Sequence, residues 1–275
     1  MDGRPGRPPG HETAGSPLMT WDAIITAGGR LPPSSPLYLH AQDGLKALLP
    51  VAGKPMLQWV LDALNGSPLV RHITLIGLPL TIPVASNKPL TRLADQGDML
   101  ANIISGARHI LERDPSQSRA LLVSSDIPGI SPAMIGWLAQ NASDPQVDLY
   151  YTIIERRVME QRFPASRRTY LRLKDCEVCG GDMHVFRLRA ALEKDPLWKQ
   201  IIDQRKNPFR QASMIGFGTL LGILTRSLTL DQTVDQVCRR LKINARALMT
   251  PYAEMGMDVD KPHQFEIMHQ ELSLR

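Results

Sequence analysis

Short apolar runs alternate with amphipathic stretches along the first 155 residues. The runs end in glycine, proline or polar residues, which is typical of buried strands. They are WDAIITA, HITLIGL, RALLVS and DLYYTIIE, with TIPVA as a candidate short strand. The amphipathic stretches KPMLQWVLDALNGS, GDMLANIISGARHILERD and SPAMIGWLAQNAS have apolar residues every three or four positions, so they predict helices.

This alternation predicts the fold class. Strands that alternate with helices form βαβ units, which indicates an α/β protein with a mostly parallel sheet flanked by helices. Ligands of such sheets bind outside the carboxyl ends of the strands. The first strand ends at Gly28-Gly29, and the run RALLVS ends at Ser124-Ser125-Asp126. We therefore expect both groups on the functional edge of the sheet.

The pattern changes after Glu155, where a basic, loop-like stretch is followed by a strand, a helix and a largely helical region. We predict a sheet domain from residues 19–155 and 242–275, which carries a mostly helical insertion at residues 156–241. Residues 1–18 are rich in proline, glycine and arginine and predict a disordered tail. The insertion is the part expected to choose a second substrate.

Composition excludes several classes of protein. The chain has 275 residues, of which 43% are hydrophobic and 21% charged, as in ordinary globular proteins. The net charge of +5 suits a phosphorylated substrate, but no Lys/Arg run accompanies it, so nucleic acid is not an expected partner. The three cysteines are too few for a disulfide framework, which favours a cytoplasmic setting.

The apolar stretch MIGFGTLLGIL, residues 214–224, is shorter than the roughly 20 residues that span a bilayer. No transmembrane segment is therefore expected. Its helical stripe favours a core helix of the insertion, and an interfacial helix in peripheral contact with a membrane stays open as the alternative.

The glycine pair after the first strand is the first chemical signal. Glycines let the backbone turn sharply so that N–H groups face an anion, and Arg30 and Lys46 could bind phosphate oxygens. Neither of the common phosphate-binding motifs, GxxxxGK[ST] and GxGxxG, is present. Gly53 and Lys54 resemble part of the first motif, but proline follows Lys54 where a hydroxyl would be needed. A tight turn with solvated cations remains the alternative.

Carboxylates supply the second signal. Asp126 follows a strand and precedes a proline, a position from which a carboxylate could bind Mg²⁺ together with substrate phosphates. Asp258 and Asp260 alternate along an extended segment, so only one of them is expected to face a shared metal. Capping of the next turn and solvated acids in a loop are the alternatives.

The ordered set TAGGR, LKALLPVAGKPML, SSDIP and MDVDKPHQFE resembles the nucleotidyltransferase superfamily. Within this superfamily the sequence resembles the MobA-like NTP transferases and the sugar-phosphate nucleotidylyltransferases. The resemblance implies a Rossmann-like (GT-A-like) sheet whose first loop wraps an NTP triphosphate. It also implies roles for individual residues. Lys46 and Arg30 would be catalytic, Asp126 and Asp260 would bind metal with Asp258 as second choice, and the nucleotide-binding residues would be Ala27, Gly28, Gly29, Asn102 and Lys54.

The resemblance also implies the reaction: Mg²⁺-dependent transfer of a nucleoside monophosphate from an NTP to a phosphorylated small-molecule acceptor, with release of pyrophosphate. On the acceptor side the family's Gly-Gly-Asn motif corresponds to Gly180, Gly181 and Asp182, so an aspartate replaces the asparagine. A metal-dependent GT-A-type glycosyltransferase and a non-catalytic nucleotide-binding module are the alternatives.

Overall fold

The computed structural model describes residues 20–193, 222 and 225–275. Most of the strands form one nine-stranded sheet, in the order β5-β4-β1-β6-β10-β7-β9-β8, and β11 pairs with β7 outside this path. A separate hairpin consists of β2 and β3. The strands are β1 Trp21–Thr26, β2 Pro50–Val51, β3 Lys54–Pro55, β4 Val70–Ile76, β5 Leu90–Leu93, β6 Arg119–Ser124, β7 Leu149–Glu155, β8 Leu171–Arg172, β9 Glu177–Gly180, β10 Met183–Arg187 and β11 Ala245–Met249.

The helices of the described residues pack on both faces of this sheet. Side chains alternate between the faces along a strand, so Ala23 and Ile25 lie in a core cluster on one face and Ile24 lies in a cluster on the opposite face. The first cluster packs under α1 and α3, and the second packs under α2 and α5. The helices are α1 Met56–Asn65, α2 Met99–Arg113, α3 Pro132–Asn141, α4 Arg156–Arg162, α5 Leu188–Glu193, α6 Leu230–Leu241 and α7 Pro262–Leu272.

The parallel strands confirm the predicted fold class. Strand β1 pairs in parallel with β4 and with β6, and β4 pairs in parallel with β5. The last residues of β1 and β6, Thr26 and Ser124, lie opposite each other in register. The loops that follow these two strands therefore begin side by side at the carboxyl edge of the sheet.

The described part of the predicted insertion is not purely helical. Strand β10 lies between β6 and β7 and is antiparallel to both, and β9 extends the sheet along the end of β7. Residues 156–193 thus contribute strands to the main sheet, and the strand and helix expected after the basic stretch correspond to β10 and α5. The periodicity of one short stretch cannot reveal that its partner is a strand distant in the chain, and the division into domain and insertion stays a prediction.

Two expectations lie outside the described residues. These are the disordered tail at residues 1–18 and most of the apolar stretch at 214–224. Among the helices that the structure does describe, none has both the length and the apolar character needed to cross a membrane.

Candidate active site

The glycine turn after β1 forms the first wall of the site. The amide of Ala27 still donates to the carbonyl of Ile76 at 2.8 Å, so β1 is paired up to the turn. Gly77 adopts a left-handed φ of +95°, and a Cβ atom built on it would lie 2.5 Å from the amide nitrogen of Gly28. The backbone of the turn therefore approaches β4 more closely than any side chain at position 77 would permit.

Lys46 lies directly beside this turn. Its amide donates to the carbonyl of Gly29 at 3.0 Å, which fixes the start of a 3₁₀ turn at Lys46–Leu48. Its ammonium contacts the carboxylates of Asp126 and Asp260, and its side chain is only 14% exposed. Burial disfavours the charged amine, but the attraction of Asp126 and then of Asp260 outweighs burial and raises the pKa of Lys46. The amine is therefore charged at neutral pH.

Three carboxylates converge at this point. One oxygen each from Asp126, Asp258 and Asp260 lies within 4.8 Å of the others. The amide of Val259 donates to the carbonyl of Asp126 at 3.0 Å, which binds the late segment to the end of β6. Only one of Asp258 and Asp260 was expected to face a shared metal, but the carboxylates of both residues lie at the cluster. The segment around them is irregular rather than a regular strand, so the strict alternation of side chains does not hold.

The neighbours of the two late aspartates differ. Asp258 forms an ion pair with Arg168 and is 14% exposed. Asp260, which contacts Lys46, is 55% exposed. Asp260 is thus the more accessible carboxylate, and the negative charge of Asp258 is balanced by the guanidinium of Arg168.

This donor set suits a hard divalent cation. Mg²⁺ binds oxygen ligands and usually takes one or two carboxylates together with substrate phosphates and water. Three clustered carboxylates with two cationic neighbours, Lys46 and Arg168, provide such oxygens without histidine or cysteine among them. Asp126, Asp258 and Asp260 are the residues that would hold the ion.

A cleft of about 310 Å³ opens on the β1–β6 side of the cluster. Asn102 is almost fully buried at its base, and its amide group donates to Asp95 at 2.9 Å while accepting from the amide of Gln96 at 2.8 Å. The role of Asn102 in the structure is thus to order the loop before α2. The cleft is lined by Thr26, Gly28, Gly29, Lys46, Asp95, Gly97, Asp98, Met99, Asn102, Ser124, Ser125 and Asp126.

Asp95 is a residue of this cleft that the sequence analysis did not identify. Its carboxylate lies against Gly28, since a Cβ atom on Gly28 would be 3.3 Å from it. The only sequence signal was its place within ADQGD, a polar loop just before a helix. A carboxylate here offers an acceptor for hydroxyl or amino groups of a bound nucleoside.

A second cleft of about 370 Å³ opens on the other side of the cluster. Gly181 and Asp182, the expected acceptor-side residues, both lie in its wall. The backbone of Asp182 joins two other parts of the site, since its carbonyl accepts from the amide of Ser124 at 2.9 Å and its amide donates to the carbonyl of Met255 at 2.8 Å. The cleft is lined by Tyr151, Arg167, Arg168, Thr169, Cys179, Gly180, Gly181, Asp182, Asp258, Asp260, Lys261 and Gln264.

The carboxyl group of Asp182 has an unusual environment. Burial, and then the negative charge of Asp126, raise its pKa to about 7 against the attraction of Arg168 and Lys46. A substantial fraction of Asp182 is therefore neutral near pH 7. A neutral carboxyl group can donate a hydrogen bond, as an asparagine amide can.

Three expected residues, Ala27, Arg30 and Lys54, line neither cleft. Ala27 is buried directly after β1, where its amide is used in pairing with β4. The guanidinium of Arg30 donates to the carbonyl of Asp43 at 3.1 Å, and the ammonium of Lys54 pairs with Asp62 at 2.6 Å and lies 3.8 Å from the ring centre of Trp59. In this structure Arg30 and Lys54 stabilise the first loop and the β2–β3 hairpin, and they are not brought together with Lys46 and the aspartates.

Comparison with known proteins decides the family. The family model of the MobA-like NTP transferase domain matches residues 23–196, more than half of the chain. The chain belongs to the MobA-like NTP transferase family. It is accordingly a nucleotidyltransferase, in agreement with the resemblance found in the sequence. A search of the curated proteins finds no match.

Solved structures of this transferase fold agree with the family. A structure described as a hypothetical transferase from Thermus thermophilus is 30% identical, with a TM-score of 0.78 over 90% of this chain and 100% of that chain. CMP:2-keto-3-deoxy-manno-octonic acid synthetase complexed with CTP is 13% identical, with a TM-score of 0.55 over 93% and 99%. The 2-C-methyl-D-erythritol 4-phosphate cytidylyltransferase from Thermus thermophilus is 12% identical, with a TM-score of 0.50 over 92% and 99%. The last two share the fold of this transferase.

Proposed function

We propose that the protein transfers a nucleoside monophosphate from an NTP in the first cleft to a phosphorylated small molecule in the second cleft. The observation that carries this proposal is the position of the carboxylate cluster between the clefts. Asp126 lines the first cleft, Asp258 and Asp260 line the second, and Lys46 contacts an aspartate from each. Groups at this junction can reach both substrates at once.

The proposed reaction needs no covalent intermediate on the protein. A phosphate oxygen of the acceptor attacks the α-phosphorus of the NTP, the bond from the α-phosphorus to its bridging oxygen breaks, and pyrophosphate leaves with that electron pair. The protein's contribution is to hold two anions in line and to offset the charge that develops between them. Lys46 and the amides of the glycine turn supply positive charge on the nucleotide side.

Mg²⁺ is the cofactor that we propose for Asp126, Asp260 and Asp258. When bound, it would neutralise phosphate charge and polarise the α-phosphate. Without such a cation the three carboxylates would carry one negative charge more than Lys46 and Arg168 balance, and this excess would repel the triphosphate.

The acceptor side supports a phosphorylated or otherwise anionic substrate. Three cationic residues, Arg167, Arg168 and Lys261, line the second cleft. A volume of about 370 Å³ lies within the range of small-molecule sites, which favours a metabolite over a polymer.

We also propose a cytoplasmic location, since Cys176, Cys179 and Cys238 are all free thiols.

The test is a two-step assay. A thermal-shift screen of ATP, CTP, GTP and UTP with Mg²⁺ should identify the nucleotide that raises the melting temperature most, because a ligand of the native state stabilises it. Two structural neighbours are named as a synthetase bound to CTP and as a cytidylyltransferase, so CTP is the first nucleotide to test.

The selected nucleotide is then incubated with Mg²⁺ and a panel of sugar phosphates and related phosphomonoesters, and pyrophosphate is measured. Release that depends on acceptor, Mg²⁺ and Asp126 supports the proposal, with Asp126→Asn as the inactive control. Nucleotide binding without pyrophosphate from any acceptor would instead favour a binding module. Transfer of sugar from a nucleotide-sugar, with the nucleotide released, would favour a glycosyltransferase.

A further inference from the structure

The basic loop that joins α4 to β8 places two consecutive arginines in the second cleft. Neighbouring residues of an extended chain point to opposite sides, yet Arg167 and Arg168 both line the cleft. Arg167 has a left-handed φ of +48°, and this turn in the backbone breaks the alternation. Such a conformation is unfavourable for a non-glycine residue and, where it occurs, often marks a functional position.

The start of α7 holds this loop in place. Nε2 of His263 donates to the carbonyl of Ser166 at 2.9 Å, one residue before Arg167. The ion pair between Arg168 and Asp258 joins the same loop to the segment that leads into the helix. Lys261, two residues before His263, therefore lies on the wall of the same cleft as Arg167.

The charges of this cleft are unevenly matched. Arg168 is paired with Asp258, and Asp260 is paired with Lys46 from the other side of the cluster. Within the described part of the chain, no acidic side chain pairs with Arg167 or with Lys261, and both residues are exposed to the cleft. Among the residues that the structure describes, these two cations thus face the acceptor cleft without an acidic side chain paired to them.

We propose that the acceptor carries a second anionic group, a carboxylate or another phosphate, which Arg167 and Lys261 bind. This inference rests on the proposed function, in which the acceptor occupies the second cleft. The nucleophilic phosphate lies at the carboxylate cluster, where Lys46 and the divalent cation balance its charge. Arg167 and Lys261 contact none of the cluster carboxylates, so they are available to a different anionic group, which the guanidinium can bind with two hydrogen bonds.

Matched ligands and matched variants test this inference. Glucose 1-phosphate has one anionic group, whereas glucuronic acid 1-phosphate adds a carboxylate and glucose 1,6-bisphosphate adds a phosphate to the same ring. Their affinities for the full chain with Mg²⁺ are measured by calorimetry at pH 7.5. We expect at least one of the two doubly anionic ligands to bind about 10-fold or more tightly than glucose 1-phosphate, in the range of one charged hydrogen-bonded contact.

The variant Arg167→Asn combined with Lys261→Gln should abolish this preference. Asparagine tolerates a left-handed φ, so the substitution removes the charge without adding backbone strain. Arg167→Lys, which retains the charge, should preserve part of the preference. Arg157→Asn is the control, because Arg157 is 78% exposed, pairs with Glu155 and does not line the cleft.

Equal affinity for the three ligands, including no measurable binding of any, overturns the inference. A preference that survives in the double variant also overturns it. The proposed function fails on a separate result, since pyrophosphate release is measured on the same preparation. Pyrophosphate release from a singly anionic acceptor, together with equal affinity for the three ligands, would leave nucleotidyl transfer intact and remove only the second anionic group.

Discussion

The amide of Val259 donates a hydrogen bond to the carbonyl of Asp126 at 3.0 Å. Asp126, which accepts this bond, and Asp260, which directly follows Val259, are the two aspartates that contact the ammonium of Lys46. A main-chain contact of this kind fixes the separation of the two backbone segments from which these carboxylates project. The site is therefore preorganised by the backbone, which is the condition for strong electrostatic stabilisation of a transition state.

The first prediction concerns the carboxylates. Asp126→Asn and Asp260→Asn should each lower kcat by about 100-fold or more, because each removes a negative ligand of the proposed metal site. The melting temperature and circular dichroism spectrum should remain close to those of the wild type. The control is Asp62→Asn, which removes an exposed carboxylate that pairs with Lys54 outside the clefts. Activity within a few-fold of wild type in Asp126→Asn would exclude the metal role.

The second prediction separates two effects of Lys46. Lys46→Met removes a positive charge beside the carboxylates, so Mn²⁺ should bind the protein without NTP several-fold more tightly, as measured by electron paramagnetic resonance. The same variant should lose about 100-fold in kcat/KM for the NTP, because it lacks the cation that faces the phosphates. The two measured quantities should therefore change in opposite directions.

Lys54→Met is the matched control for this variant, since Lys54 pairs with Asp62 and lies apart from the cluster. It should leave both the Mn²⁺ affinity and kcat/KM unchanged. If Lys46→Met bound Mn²⁺ more weakly, Lys46 would not be a competitor of the cation for these carboxylates.

The third prediction follows from the pKa of Asp182. Burial, and then the charge of Asp126, raise this pKa to about 7, above the usual value near 4 in the unfolded chain. The protein then loses stability as the pH rises from about 4 through about 7, because the folded state holds a proton that the unfolded state releases. Asp182→Asn removes this loss.

The melting temperature of Asp182→Asn, measured in EDTA, should exceed that of the wild type by a few degrees at pH 8. The difference should diminish towards pH 5. Asp175→Asn, a carboxylate in the turn before β9, is the control and should show no such trend. A difference that is constant between pH 5 and pH 8 would contradict the raised pKa.

The fourth prediction concerns the close contact between Gly77 and the glycine turn. Gly77→Ala places a methyl group 2.5 Å from the amide nitrogen of Gly28 and should destabilise the protein by about 2 kcal/mol or more. It should also weaken NTP binding, because the glycine turn at Gly28 must shift to make room for the methyl group. Denaturant unfolding and nucleotide titration measure the two effects.

Gly53→Ala is the matched control for Gly77→Ala. Gly53 also has a left-handed φ, +84°, but no atom lies within 4 Å of a Cβ built there. This variant should show only the backbone cost of about 1 kcal/mol, with normal NTP affinity. Equal destabilisation by the two substitutions would mean that the contact with Gly28 has no effect of its own.

Much of the nucleotide half was predictable from local patterns. Strand β1, helices α1 and α2 and the end of β6 follow from hydrophobic periodicity and glycine, and they place Gly28, Gly29 and Asp126 at one edge of the sheet, as expected. Local periodicity suffices here because β1 and β6 are largely buried on both faces and therefore appear in the sequence as nearly continuous apolar runs.

The strand that pairs with the outer side of β4 was assigned to the wrong residues, and the structure gives a physical reason. TIPVA was expected to form a strand, but residues 81–85 form none, and Leu90–Leu93 pairs with β4 instead. The guanidinium of Arg92 donates to the carbonyls of Pro79 at 2.6 Å and Leu80 at 3.2 Å, and it also contacts that of Ile82. A side chain thus satisfies the backbone oxygens that a neighbouring strand would have taken, and no periodic pattern reveals this.

The acceptor half was less predictable because its contacts are non-local. Gly181 and Asp182 were identified through the family motif. Arg167 and Lys261 come together through two contacts between distant segments, the Ser166–His263 hydrogen bond and the Arg168–Asp258 ion pair. Asp95 was missed because a single carboxylate in a polar loop is indistinguishable from a solvated one until the fold places it against Gly28.

The Val259–Asp126 bond has a consequence for biosynthesis. Asp258 and Asp260 follow every strand of the sheet in chain order, although they complete a centre whose other aspartate ends β6. A nascent polypeptide released before this segment would retain the glycine turn and Lys46 without the full acidic cluster. With the metal role that we propose for this cluster, the ribosome must translate beyond residue 260 before any copy can consume nucleotide.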